Sequence, residues 1–131
     1  MIFVDTSALY SALDATDANH EVAKTILERL IRSGEVLLTT NYVLLETSAL
    51  VQRRLGLDAL RLFHTDIAPV LSVEWIAQAA HNAATEAVLT ANRRNLSLVD
   101  CVSFHVMRSA AISQAFSFDS HFREQGFEIL P

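Results

Sequence analysis

The chain has 131 residues, 51% of them hydrophobic and 19% charged, with a formal net charge of −5 at pH 7. These values describe one globular domain, residues 1–131, with enough chain for a real core; they exclude a disordered polymer and a globally basic nucleic-acid binder. A single cysteine, Cys101, allows no internal disulfide, and neither a secretory leader nor an apolar run of membrane-spanning length is evident, so a soluble cytoplasmic protein is expected.

Ile2-Phe3-Val4 runs straight into Asp5-Thr6-Ser7. A continuous apolar run stopped by capping residues predicts a short buried strand with Asp5 at its carboxyl end, where open α/β sheets place their ligands. Ser7 to Leu13 reads as a short helix and Asp14 to Asn19 as a polar turn. Asp17 then caps a helix from about Ala18 to Arg32, closed by Gly34. Val36 to Leu38 is a second strand, and Thr39-Thr40-Asn41 opens a helix to about Leu55, ended by Gly56. A further helix spans Leu57 to Ile67 and stops before Pro69, followed by a short strand at Val70 to Val73. An alanine-rich helix runs from Glu74 to Ala91, and Ser97 caps another reaching Ala111. Ala115 to Phe118 is a strand, Ser120 to Gln125 a short helix and Phe127 to Leu130 a terminal strand. Strands alternating with helices predict an α/β fold whose parallel sheet is covered on both faces.

Four acids stand out against this frame. Asp5 and Asp119 follow strands and precede helices, and Asp100 lies in a Ser-x-x-Asp capping pattern, so helix capping accounts for each taken alone. Glu46 is different. It lies mid-helix, too far from either end to cap, with Val43, Ala49 and Leu50 on or beside its face. Asp100 likewise shares a stripe with Leu96, Val99 and Met107. A carboxylate against an apolar face costs several kcal/mol unless it is paired or metal-bound. Lys24 is the only lysine, and it lies in an early helix. A cation from solution is the economical compensation, and carboxylates without Cys or His spacing favour hard ions, Mg²⁺ or Mn²⁺. Carboxylate-held divalent ions hydrolyse phosphodiesters. Thr6 and Ser7 are candidates for a hydrogen bond to a metal-bound water or a phosphate, with capping as their ordinary use.

Ile2-Phe3-Val4-Asp5-Thr6-Ser7 resembles the opening motif of PIN-domain nucleases, particularly VapC-type toxins of bacterial toxin–antitoxin pairs. Glu46 after the second strand, Leu96-Ser97-Leu98-Val99-Asp100, and Phe116-Ser117-Phe118-Asp119-Ser120-His121-Phe122 resemble the later motifs in order and spacing. The resemblance implies a three-layer α/β/α domain with a central, mainly parallel sheet of four to five strands. It further implies that Asp5, Glu46, Asp100 and Asp119 are the metal and catalytic acids of a Mg²⁺- or Mn²⁺-dependent ribonuclease. A homodimer inhibited by a cognate antitoxin is implied as well. Some relatives carry a further acid about one helical turn after the third acid; Ser103 occupies that region here, and no carboxylate does.

Arg93 and Arg94, just before the third motif, are candidate phosphate contacts among nine arginines. The five histidines show no zinc spacing and are assigned surface or core roles; Cys101 reads as a buried structural thiol. Trp75 and Tyr42 are able to stack a base but are assigned to the core or an interface. A haloacid-dehalogenase-like phosphatase is disfavoured because Ser7, not Asp, stands two residues after Asp5. A phospho-receiver is disfavoured because no lysine follows a late strand. A catalytically silent PIN-like module binding RNA or protein remains the alternative.

Overall fold

The computed structural model describes residues 1–131. Five strands, β1 (Ile2–Val4), β2 (Leu37–Thr40), β3 (Ser72–Glu74), β4 (Gln114–Phe116) and β5 (Glu128–Leu130), form one sheet in the order β3-β2-β1-β4-β5. All pairings are parallel. Ile2, Phe3 and Val4 alternate between the two faces of the sheet yet all are buried, so helices cover both sides of β1, as a parallel sheet requires. The chain leaves β1 toward β2 and β3 on one side and returns to β4 and β5 on the other. The carboxyl ends of β1 and β4 therefore flank the point where strand order reverses.

Seven helices complete the layers: α1 (Thr6–Leu13), α2 (His20–Ser33), α3 (Asn41–Leu55), α4 (Leu57–Leu62), α5 (Gln78–Ala91), α6 (Leu98–Ser109) and α7 (His121–Glu124). α1 packs on α2 and α3, and α5 packs on α6. Gly34 closes α2 at φ 74°, and Gly56 joins α3 to α4 at φ 93°, backbone conformations that a side chain would strain. Phe122 is the hub of an aromatic cluster beneath the sheet's end, with ring centroids 6.2 Å from Phe3, 5.0 Å from Phe104 and 6.5 Å from Phe127.

The elements depart from expectation at three helix boundaries. The helical run expected from Leu57 to Ile67 is present, but its α-helical part ends at Leu62. It widens into a π turn over Phe63–Ile67 and tightens to a 3-10 turn over Ala68–Val70, because Pro69 has no N–H and its ring crowds the carbonyl four residues back. Asp17 does not cap α2; its Oδ1 accepts from Asn19 N at 2.8 Å in the preceding turn, and the helix starts at His20. The helix expected from Glu74 starts at Gln78. Glu74 is still paired with Thr40 in the sheet, and Ile76 N donates to Asn41 Oδ1 at 2.7 Å, which holds the link extended.

Phe122→Ala is expected to lose about 3–5 kcal/mol of folding stability, the range for emptying a fully buried aromatic site. Urea denaturation followed by circular dichroism checks this, and a loss below about 1 kcal/mol would show that the cluster is not the keystone of this end of the sheet.

Candidate metal centre

Each acid reaches the carboxyl edge of the sheet by its own route. Asp5 follows β1 and is the N-cap of α1, its Oδ2 accepting from Ser7 N at 3.3 Å. Glu46 is carried by α3, which begins where β2 ends; Thr40 caps that helix by accepting from Val43 N at 3.1 Å. Asp100 and Ser97 form a reciprocal capping box on α6: Asp100 N donates to Ser97 Oγ at 3.0 Å, and Ser97 N donates to Asp100 Oδ2 at 3.1 Å. Asp119 lies in the turn from β4 to α7, its Oδ1 accepting from His121 N at 2.9 Å. Capping and membership of the cluster are thus compatible. Each cap occupies Oδ2 of Asp5 or Asp100 and leaves Oδ1 without a donor.

A hydroxyl network fixes Asp5 further. Its Oδ2 accepts from Ser7 Oγ at 2.7 Å and from the fully buried Ser117 Oγ at 3.0 Å. Each hydroxyl has one proton and directs it at Asp5, while its oxygen accepts from backbone: Phe118 N donates to Ser7 at 2.9 Å, and Asp119 N to Ser117 at 3.0 Å. Asp5 N also donates to Phe116 O at 3.1 Å. The ends of β1 and β4 are stitched together at the residue both strands present. Ser7 is therefore engaged in orienting Asp5 rather than free for a phosphate. Thr6 Oγ1 is buried beside Glu46, close enough to favour its charged form, yet makes no hydrogen bond of good geometry.

Electrostatics bind the four acids into one group. Burial raises Asp5 from 3.8 to about 6, with the nearby Asp100 charge adding to the rise and the Ser7 and Ser117 hydrogen bonds opposing it. Burial also raises Glu46, reinforced by Asp5 and Asp119 and opposed by Thr6. Burial raises Asp100, reinforced by Asp119 and opposed by the Ser97 capping bonds and His121. Within this group Asp100, Asp119 and His121 are tightest, one ligand atom from each lying within 4.8 Å of the others. His121 Nδ1 is 3.0 Å from Asp119 Oδ1 and 3.7 Å from Asp100 Oδ2, but makes no properly aligned hydrogen bond. No lysine or arginine pairs with any of the four acids. Buried, mutually repelling oxygen donors beside orphaned polar atoms fit a hard divalent cation.

His121 and Ser117 are the members that sequence reasoning missed. His121 was assigned a surface or core role, and its signal was its place two residues after Asp119 at a helix start. Ser117 carried no signal of its own, because its role exists only through contact with Asp5 across the sheet. Arg93, expected to meet phosphate, pairs with Glu124 at 2.9 Å, whereas Arg94 is exposed without a partner. Cys101 is buried, and burial raises its thiol pKa, as a structural thiol's would be. Trp75 does not pack in the core; 74% of it is exposed. The largest groove, about 570 Å³ between α5 and α6, is lined by Ala83, Ala87, Leu96, Phe104 and their neighbours and contains none of the four acids.

Asp5 gives the metal-free protein a specific pH dependence. Its folded pKa of about 6 exceeds the unfolded 3.8, so the folded state holds the proton more tightly. Stability falls as pH rises from about 4 to 6, by about 3 kcal/mol in total for this group. Asp5→Asn, which retains an acceptor for Ser7 and Ser117, is expected to melt several degrees above wild type at pH 7.5 without metal. At pH 4 the two should nearly coincide. Calorimetry in a chelating buffer reads the difference, and equal melting temperatures at both pH values would contradict the assignment.

The PIN domain family model matches residues 2–128. The 23S rRNA-specific endonuclease VapC20 of Mycobacterium tuberculosis, from strains CDC 1551 / Oshkosh and H37Rv, is 36% identical over 133 residues, covering 100% of this chain and 99% of the relative. The crystal structure of Mycobacterium tuberculosis VapC20, described as a Sarcin-Ricin loop cleaving toxin, superposes with a TM-score of 0.86 at 37% identity and full coverage of both chains. With the ordered acids and the five-stranded parallel sheet already in place, these likenesses establish that the chain belongs to the PIN-domain family.

Proposed function

We propose that the protein is a divalent-metal-dependent endoribonuclease acting in the cytoplasm as the toxin of a toxin–antitoxin pair. The observation that carries this reading is the convergence of Asp5, Glu46, Asp100 and Asp119 on one sheet edge without a lysine or arginine counter-charge. Asp5, Asp100 and Asp119 would hold Mg²⁺ or Mn²⁺, with Glu46 beside them. A bound ion of this kind supplies Lewis-acid polarisation of the phosphoryl group and lowers the pKa of water. Asp5, oriented through Oδ2 by Ser7 and Ser117, presents its other oxygen to the site. Glu46, its pKa raised by burial, is suited to take the proton of an attacking water on a carboxylate oxygen. Attack forms one P–O bond and breaks the bond to the leaving ribose oxygen, which takes up a proton. His121 Nδ1, against Asp100 and Asp119, is a nitrogen through which a proton can pass near that edge.

Full-length similarity to VapC20 supports 23S ribosomal RNA as the target; a cognate antitoxin on a separate chain is the inhibitor in this proposal. Leu45, Leu57 and Leu62, exposed on α3 and α4, offer apolar surface for that antitoxin or for a second copy in a homodimer. Arg94 is a candidate phosphate contact, with Arg93 available if its pair with Glu124 opens.

Purified protein, free of copurifying inhibitor, is expected to cut ribosomal RNA with Mn²⁺ or Mg²⁺ and to stop on addition of EDTA. Asp5→Asn and Glu46→Gln, shown to be folded, should each lose about a hundredfold or more in cleavage rate, at least the effect of disturbing a metal's supporting residues. Absence of both cleavage and calorimetric metal binding would leave a silent RNA- or protein-binding module as the reading. Arg94→Ala should weaken RNA binding and reduce the slope of log affinity against log salt by about 1; an unchanged slope would remove Arg94 from the interface.

A further inference from the structure

We infer that Trp75 is a base-stacking subsite for single-stranded RNA, displayed on the same sheet edge as the acids; the inference rests on the ribonuclease reading above. Among the large apolar side chains Trp75 is the most exposed, at 74%, and its ring has no aromatic or cationic partner. The other aromatic residues behave differently. The phenylalanines are all buried or half-buried, and Tyr10 is buried under Arg54. Only Trp75 offers a free indole face.

Its position is set by the parallel sheet. Trp75 directly follows Glu74, the last residue of β3, so it lies on the carboxyl edge that also bears Asp5 and the start of α3. β3 is two strands from β1, a lateral separation of about 10 Å. That strand spacing sets Trp75 to one side of Asp5, where a nucleotide flanking the cleaved one would lie. Placement is also firm. Glu74 pairs with Thr40, Ile76 N donates to Asn41 Oδ1 at 2.7 Å, and Ile76 packs on the core, so the residues on both sides of Trp75 are fixed. Tyr42 on α3 and His81 on α5 hydrogen-bond to each other and close the same junction.

An exposed ring on fixed backbone loses little entropy when a base stacks on it. Single-stranded RNA is recognised by such rings, and stacking contributes without a basic field, which this acidic chain lacks. A loop whose bases can be splayed outward is the substrate form this subsite accepts.

Trp75 is the only tryptophan, so its emission reports on the subsite directly. Metal-free full-length protein, which does not cut on this mechanism, is titrated with a short single-stranded RNA oligonucleotide. The same titration is repeated with oligonucleotides carrying one abasic position each. The expected result is saturable quenching, diminished by an abasic site at one position near the cleaved bond. Trp75→Ala should bind the RNA about tenfold more weakly, and Trp75→Phe should recover most of that loss. With metal present, Trp75→Ala should lower kcat/KM about tenfold while calorimetric metal affinity and melting temperature stay unchanged. RNA binding without quenching, or with equal affinity in Trp75→Ala, overturns the subsite. Emission that instead shifts with protein concentration, together with loss of self-association in Trp75→Ala, overturns it in favour of a contact between two copies. Failure of folded wild type to cut RNA with metal would count against the ribonuclease reading, whereas the quenching and abasic series test the stacking on their own.

Discussion

Everything at the carboxyl edge of this sheet follows from holding carboxylates together out of water. Asp5 is 4% exposed and Asp100 9%, and burial is the largest cause of the raised pKa at both. Left alone, such groups would separate, protonate or turn to solvent. The fold prevents the two strand-end acids, Asp5 and Asp119, from separating by backbone pairing of β1 with β4, and it prevents Asp5 from turning away by directing two hydroxyls and an amide at one oxygen. The site therefore stores unfavourable electrostatic energy that a cation can release.

Local helix chemistry is the means by which that energy is held in place. An N-cap carboxylate points back over the first turn, and a capping box locks the third residue to the cap. Asp5 and Asp100 use these motifs, so the interactions that start α1 and α6 also aim their acids at the edge of the sheet. Glu46 has no cap to orient it. It depends on α3 being launched directly from β2 at Thr40, and on Thr6 lying alongside. A cap and a ligand are often treated as rival explanations of one aspartate; here the cap occupies one oxygen and leaves the second available.

This division explains what was legible in the chain. The strand Ile2–Val4 ending in Asp5, the anomalous mid-helix Glu46 and the Ser97–Asp100 pair are short-range patterns, and they were readable because local physics decides them. Ser117 and His121 were not, because their importance lies in contacts reaching another element: Ser117 meets Asp5 across 112 positions of sequence, and His121 meets Asp100 on a different helix. The link after β3 was misread as helix because its extended form depends on pairing with Thr40 and on the Asn41 side chain. Of the two placements considered for Trp75, core and interface, the structure excludes the core for the same reason. Aromatic character predicts burial on average, and only the tertiary path of the chain decides which ring is left outside.

An acidic protein that binds a polyanion has to draw its affinity from somewhere other than counterion release. A net charge of −5 and a single lysine leave no globally basic surface of the kind that usually dominates RNA binding. Arg93 is engaged with Glu124, which leaves few free cations near the third motif. The remaining sources are a metal that turns the acidic cluster from a repulsive patch into an attractive one, and contacts to unpaired bases that do not depend on charge. Both favour a particular kind of substrate. Duplex RNA presents phosphates and a shallow groove to a protein that has little to offer them, whereas an exposed loop presents splayed bases with one phosphate at the acids. A preference for single-stranded elements is therefore what the charge balance of the chain leads us to expect, before any base-specific contact is considered.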